Sequence, residues 1–274
     1  MSYEYELKEQ ILKIENVCLQ LGGNQILRNV NALVRNIVRT DVHQGQVIGL
    51  LGPSGMGKTQ LFRILSGLNT PDSGTVYVTE KMVPVKAGMV GVVAQHYPLF
   101  KHRTIMSNLV VAGQQAGMDS SLANKRGIEL LQRFGLSGHE SKYPAQLSGG
   151  QKQRAAIAQQ FMCSEHFLLM DEPFSGLDPI ALGEMCTFIG EMAQTHELKT
   201  FVVVTHDIDS AVSVCDSLWL LGRDRDEHGM PIPGANIQHT IDLAARGLAW
   251  RENIREIPGF QATVNEVRQL FKTL

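Results

Sequence analysis

The sequence predicts an α/β fold: a largely parallel sheet of buried strands, an antiparallel β layer ahead of it, and a helical insertion in the middle. Three observations carry this. The short apolar runs at 46–51, 167–170 and 201–204 have the length and continuity of strands buried on both faces. Helix-like stretches separate the later runs, and parallel pairing requires such crossovers. At 274 residues, 43% hydrophobic and 19% charged, the chain can build a large core and falls outside collagen-like, low-complexity and disordered classes.

Taken in order, residues 11–21 alternate and run into Gly22-Gly23, a strand entering a turn, and 26–38 is β-branched enough for a further strand. Residues 46–51 empty into a glycine-rich turn followed by a helix-like 60–65. Residues 75–83 and 89–94 read as strands around a break at 84–88, and 105–134 reads as helical. A helical stretch at 182–195 separates the two later apolar strands, and a final strand at 217–221 closes the core. Beyond Gly222 the chain turns polar and turn-rich. We therefore expect a main domain over 1–222 with its helical insertion at about 98–160, and an extension of docked helices over 223–274. In that extension Phe260, Val264, Val267, Leu270, Phe271 and Leu274 recur at helical spacing.

Lys and Arg total 25 against 27 Asp and Glu, a net charge of −2, which excludes a binder that works by neutralising many nucleic-acid phosphates. The first ten residues lack the basic and apolar regions of a signal peptide, and no apolar run approaches the ~18 residues of a membrane span. A cytosolic chain is expected. Cys18, Cys163, Cys186 and Cys215 stand far apart without a C-x-x-C pair, so buried reduced thiols are expected and no metal site of their own.

Gly52-Pro53-Ser54-Gly55-Met56-Gly57-Lys58-Thr59 fits G-x-x-x-x-G-K-S/T, between a buried strand and a helix that continues through Gln60. The glycines let backbone N–H groups turn inward around phosphates, and the helix N-terminus adds a favourable dipole. Lys58 then reaches the β- and γ-phosphates and the Thr59 hydroxyl can ligate Mg²⁺. The run 167–170 ends in two carboxylates: Asp171 is placed to hold Mg²⁺ through water, Glu172 to orient or deprotonate an attacking water. In Leu147-Ser148-Gly149-Gly150-Gln151, Ser-Gly-Gly opens a helix, making a second anion-binding N-terminus from Ser148 and the amides of Gly149 and Gly150.

With that segment the sequence resembles the ATP-binding-cassette (ABC) ATPase family. The order of motifs fits as well: Gln95 after a strand, the signature-like 147–154, Asp171-Glu172, Ser175-Gly176-Leu177-Asp178, and His206 after the last apolar strand. The resemblance covers 11–222 and implies a P-loop NTPase core with ATP and Mg²⁺ as ligands. It implies that two such domains pair head to tail, one phosphate loop against the other's signature and Asp178 loop. Gln95 would sense Mg²⁺ and the attacking water and relay that state through Tyr97-Pro98-Leu99-Phe100, and His206 would stabilise the γ-phosphate and transition state. Glu172, His206 and Gln95 are the implied catalytic set, and Thr59, Gln95 and Asp171 the implied magnesium set.

The chain departs from the family at three places. Leu21 stands where an aromatic usually stacks on adenine, leaving Tyr3 or Tyr5 to supply one. Residues 31–46 are several longer than usual, which predicts a loop insertion, and Ala158-Gln159-Gln160-Phe161 replaces the commoner Ala-Arg-Ala-Leu. Lys142-Tyr143-Pro144-Ala145-Gln146-Leu147 resembles importer-type subunits, particularly those for polar amino acids or for taurine and nitrate, and stand-alone efflux and lipoprotein-release ATPases share it. The implied function is the ATP-hydrolysing subunit of a membrane transporter, peripheral on the inner face of the cell membrane. Its implied partners are a second cassette (a homodimer), transmembrane permease subunits and, for import, a substrate-binding protein. The alternative is a soluble ABC ATPase of the cluster-assembly type.

Overall fold

The computed structural model describes residues 5–39, 45–79, 81–95, 98–164, 167–193, 200–251 and 253–274. Among them ten strands form one sheet: β1 (Tyr5–Leu21), β2 (Asn24–Arg39), β3 (Gln46–Leu51), β4 (Ser73–Val78), β5 (Val83–Pro84), β6 (Gly91–Val93), β7 (Phe167–Asp171), β8 (Thr200–Thr205), β9 (Ser217–Arg225) and β10 (Pro231–Asp242). Their lateral order is β5-β4-β1-β2-β10-β9-β3-β8-β7-β6. The five strands from β9 to β6 are parallel, and β5-β4-β1-β2 are antiparallel. Between the two halves, β10 pairs antiparallel with β9 and meets β2 through the single pair Ala235↔Leu27.

The helices are α1 (Lys58–Leu65), α2 (Ile105–Gln115), α3 (Ser120–Arg133), α4 (Gly149–Phe161), α5 (Pro179–Ala193), α6 (Ile208–Val214) and α7 (Pro258–Leu270). Strand side chains alternate between the two faces of a sheet, which explains why the parallel strands are apolar throughout. Val47, Leu51, Leu168, Met170, Phe201, Val203, Leu218 and Leu220 join one core with helices α2 to α7. Ile48, Leu50, Phe167, Leu169, Val202, Val204, Trp219 and Leu221 join the other, with α1 and the antiparallel strands. No helix among the described residues is long and apolar enough to cross a membrane.

Four expectations need correction. The strand expected at 75–83 stops at Val78, where Thr79 (φ 70°) and Met82 (φ 50°) turn the chain, and it resumes as β5. Pro84 is tolerated there because β5 is an edge strand, where no neighbour needs the missing N–H. The extra length before β3 is, through Arg39, strand and not loop: Tyr5, Glu6 and Leu7 pair with Arg39, Val38 and Ile37. Residues 40–44 of that stretch, like 194–195 of the stretch expected after 182, lie outside the described residues. Of the cysteines only Cys215 is buried; Cys18 and Cys186 are intermediate and Cys163 is exposed.

The fourth correction concerns the boundary after Gly222 and the helices expected beyond it. Strand β9 runs through Gly222 to Arg225 and returns as β10, so this segment belongs to the main sheet. Its polar composition reads as loop, yet the polar side chains pair across strands. Asp224 on β9 accepts from Gln238 (2.8 Å) and Asn236 (3.0 Å) on β10 and from Arg28 on β2. These bonds, the one from Gln238 first, hold the Asp224 carboxyl below the usual carboxylate range. Helix α7 does dock: Phe260, Val264 and Val267 are buried and Leu270 and Phe271 partly so. Leu274 packs so closely on Gly222 that a Cβ there would lie 2.7 Å from its side chain.

Candidate active site

Four neighbouring parallel strands end at one edge, the edge where ligands bind in open α/β sheets. The register pairs Leu51 with Thr205, Val204 with Asp171, and Met170 with Val93. The loops that follow therefore emerge side by side: Gly52 after β3, His206 after β8, Glu172 after β7 and Gln95 after β6. At ~4.8 Å per strand the row spans about 14 Å.

Gly52 is buried against β9, and a Cβ on it would lie 2.5 Å from the Leu221 carbonyl oxygen. Gly55 (φ 81°) and Gly57 (φ 85°) hold the left-handed conformation that other residues rarely adopt. Gly57 also rests on β2, where a Cβ would meet Ile26 at 2.9 Å, and it is the N-cap of α1. The loop thus delivers Lys58 and Thr59 as the first helical residues, whose N–H groups lack helical partners, while the Gln60 N–H already donates to the Gly57 carbonyl (3.0 Å). Ser54, Gly55 and Thr59 are exposed, and Pro53, Met56, Gly57, Lys58 and Gln60 are half-buried. The Lys58 ammonium donates to the carbonyls of Gly52 (2.6 Å) and Pro53 (3.0 Å). Burial lowers its pKa, against the upward pull of Glu172 and Asp171. Gln60 accepts from Asn69 (3.1 Å).

Asp171 ends β7, half-buried; burial raises its carboxyl pKa and Glu172 adds to this, while Lys58 and Arg63 oppose. Glu172 has φ 50°, and its N–H donates to the Val204 carbonyl (2.8 Å). Its carboxylate accepts from the Thr205 hydroxyl (3.1 Å) and bonds His206 Nδ1 (2.9 Å). The side chain of Glu172 is 16% exposed and that of His206 64%, so the pair has one half-buried and one open member. Thr205 is one residue missed in the sequence, its only trace there being a hydroxyl amino acid at the end of an apolar strand. Gln95 lies exposed just beyond β6. Tyr97 lies outside the described residues, while Phe100 is 42% exposed and its N–H donates to Asn108 Oδ1 (2.7 Å).

Among the described residues no group of three or more His, Cys, Asp or Glu side chains could hold a metal ion alone. The hydroxyl of Thr59 and the carboxylate of Asp171 are hard oxygen donors, and Mg²⁺ typically takes one or two such groups with phosphate oxygens and water. The donor set fits that ion.

The second anion-binding N-terminus expected from the sequence lies at the start of α4. Ser148 is the N-cap of α4 in a capping box: its hydroxyl accepts from the Gln151 N–H (3.3 Å), and its own N–H donates to Gln151 Oε1 (3.0 Å). That leaves the hydroxyl hydrogen for another acceptor. A Cβ on Gly149 or Gly150 would meet nothing within 4 Å. Among the described residues no hydrogen bond joins 148–150 to 52–60. Asp178, counted above with the nucleotide site, accepts from the N–H groups of Ile180 (2.9 Å) and Ala181 (3.0 Å) and so caps α5. Buried Gln153, which sequence reading passed over, donates to the carbonyl of Pro173 (2.9 Å), tying α4 to the residue after Glu172.

Leu21 lies at the hairpin tip, 42% exposed. Tyr5 stands at the opposite end of the 17-residue β1 and packs edge-on to Trp250 at 5.8 Å. At ~3.3 Å per residue it is roughly 50 Å from Leu21, too far to serve the same base; Tyr3 lies outside the described residues. Leu21→Tyr is therefore expected to tighten ATP by up to about 1 kcal/mol, some fivefold in Kd by calorimetry. Unchanged affinity would mean the base is held elsewhere.

A buried parallel strand feeding a glycine-rich loop and helix, beside an acidic strand end, is the architecture of a P-loop NTPase. The chain belongs to the ABC transporter family, whose profile matches residues 35–175. It is 35% identical over 219 residues to the sulfate/thiosulfate import ATP-binding protein CysA of Thermosynechococcus vestitus, covering 79% of this chain and 62% of that one. To the L-cystine transport system ATP-binding protein TcyN of Escherichia coli it is 33% identical, covering 78% of this chain and 87% of that one. Its fold is similar to that of cbiO1 from Clostridium perfringens, part of the ABC transporter complex cbiONQ. The TM-score is 0.72 at 23% identity, over 96% of this chain and 100% of that one.

Proposed function

We propose that this chain is the ATP-binding and ATP-hydrolysing subunit of an ABC membrane transporter, and that it powers import of a small polar solute. The observation that carries the reading is the row at one sheet edge: phosphate loop with Lys58, carboxylate Asp171, and the Glu172–His206 pair. Loop amides and Lys58 hold the β- and γ-phosphates. Mg²⁺ held by Thr59 and Asp171, with Gln95 at its edge, would neutralise phosphate charge. Glu172 orients the attacking water and takes its proton as the water oxygen bonds the γ-phosphorus and the bond to the β-phosphate oxygen breaks. His206, holding Glu172 through Nδ1, turns Nε2 outward toward the γ-phosphate.

No hydrogen bond joins 148–150 to 52–60 among the described residues, and we read the site as one completed by a second cassette, whose Ser148, Gly149 and Gly150 would meet the γ-phosphate from the far side. Closure on ATP and opening after hydrolysis would then drive membrane-embedded permease partners, with this subunit docked on their cytoplasmic side. The sulfate/thiosulfate import named for one relative favours import, and the L-cystine transport named for another favours a small polar solute. The test is mass spectrometry of what co-purifies with a tagged copy from gently solubilised native membranes. A multi-span permease with a substrate-binding protein is expected; soluble partners alone would replace transport with the cluster-assembly class.

A further inference from the structure

We propose that Thr205 is a positioning residue for hydrolysis: its hydroxyl fixes the carboxylate of Glu172 in the orientation that meets the attacking water. The inference deepens the function proposed above and rests on the role given there to Glu172. The Thr205 side chain is fully buried at the end of β8, directly before His206. Its Oγ1 makes two hydrogen bonds, one from the N–H of Asp207 (3.1 Å) and one to Glu172 Oε2 (3.1 Å). The direction of both is forced. A backbone N–H can only donate, so Oγ1 accepts there; an ionised carboxylate can only accept, so the hydroxyl hydrogen points at Glu172.

The two carboxylate oxygens are thereby distinguished. Oε2 is bound by a buried hydroxyl on a rigid strand, and Oε1 by the exposed ring of His206 (2.9 Å). His206 can swing away toward a phosphate without freeing the carboxylate, because Thr205 still holds it. The backbone supports the same orientation: the Glu172 N–H donates to Val204, the residue before Thr205 (2.8 Å). Both anchors of Glu172 thus come from the end of one strand. Asp207, held by the same hydroxyl, caps α6 through the Ser210 N–H (3.2 Å), so Oγ1 ties the catalytic carboxylate to the start of that helix.

The experiment is steady-state MgATP hydrolysis by the full chain carrying Thr205→Val or Thr205→Ser, each alone and in a Glu172→Gln background, with ATP affinity from calorimetry on the same preparations. Valine keeps the shape and removes the hydroxyl; serine keeps the hydroxyl. Misplacing a reacting group by about 1 Å can cost ~100-fold. Thr205→Val is therefore expected to lower kcat by about 10- to 100-fold, with KM and ATP affinity within about twofold. Thr205→Ser should recover most of the rate, and Thr205→Val should leave the residual rate of Glu172→Gln unchanged. Wild-type kcat in Thr205→Val overturns the inference, as does an equal fractional loss in the Glu172→Gln background. If Thr205→Val fails to fold, a Thr205→Ser protein as slow as Thr205→Ala overturns it. Full turnover by Glu172→Gln would sink the role of Glu172 instead, a result separable from all of these.

Discussion

Glu172→Gln is expected to bind MgATP as well as the parent chain, accumulate as an ATP-bound dimer, and hydrolyse at least about 100-fold more slowly. An amide cannot take the water's proton, yet it matches the carboxylate in shape. The Thr205 hydroxyl, forced to donate, claims the amide oxygen, and the NH₂ then faces His206 Nδ1. That ring accommodates it by presenting Nδ1 as an acceptor, so the loop keeps its geometry. Removing the charge also relieves the repulsion that Asp171 feels from Glu172. An anionic nucleotide is therefore not disfavoured by the change. Single-turnover kinetics and size-exclusion chromatography with and without MgATP read both halves, and unimpaired turnover would remove Glu172 from the chemistry.

Lys58→Ala is the second large effect, at binding and not at chemistry. The ammonium is half-buried and held over the loop by the carbonyls of Gly52 and Pro53, poised to exchange them for phosphate oxygens. A hydrogen bond to a charged partner contributes ~1.5–3 kcal/mol, so losing it should weaken ATP by about 10- to 150-fold. One effect compounds the loss: Asp171 and Glu172 lose the cation that offsets them beside an anionic nucleotide. Full ATP affinity by calorimetry would undo the phosphate-loop assignment.

Where a residue's environment is dictated by its own segment, it could be read in advance. Strand β3 was expected at 46–51 and is found at Gln46–Leu51, because burial on both faces demands an unbroken apolar run and the loop motif fixes where it ends. Ser148 as a helix N-cap is local chemistry, written in Ser-Gly-Gly-Gln. What escaped depends on distant partners. Strand β10 is polar because Asn236 and Gln238 answer Asp224 on its neighbour, a pairing no window of sequence contains. Thr205 reads as the last residue of an apolar strand until the fold brings a carboxylate from 33 positions away to its hydroxyl. Asp178 carries a second local signal beside the family pattern: the N–H groups of Ile180 and Ala181 donate to its carboxylate, a helix cap written in its position before Pro179.

The single backbone pair between β10 and β2, Ala235↔Leu27, makes the sheet mechanically uneven. Load carried sideways through a ladder is shared among its rungs, and between β10 and β2 one rung, the Arg28–Asp224 pair and the packing of Gly234 on Gln25 and Arg28 share it. Gly57 rests on Ile26 and Leu27 on the antiparallel side of that join, while Gly52 is wedged against Leu221 on the parallel side. The two ends of the phosphate loop are thus mounted on different halves of the sheet, so the loop's shape depends on how the halves meet.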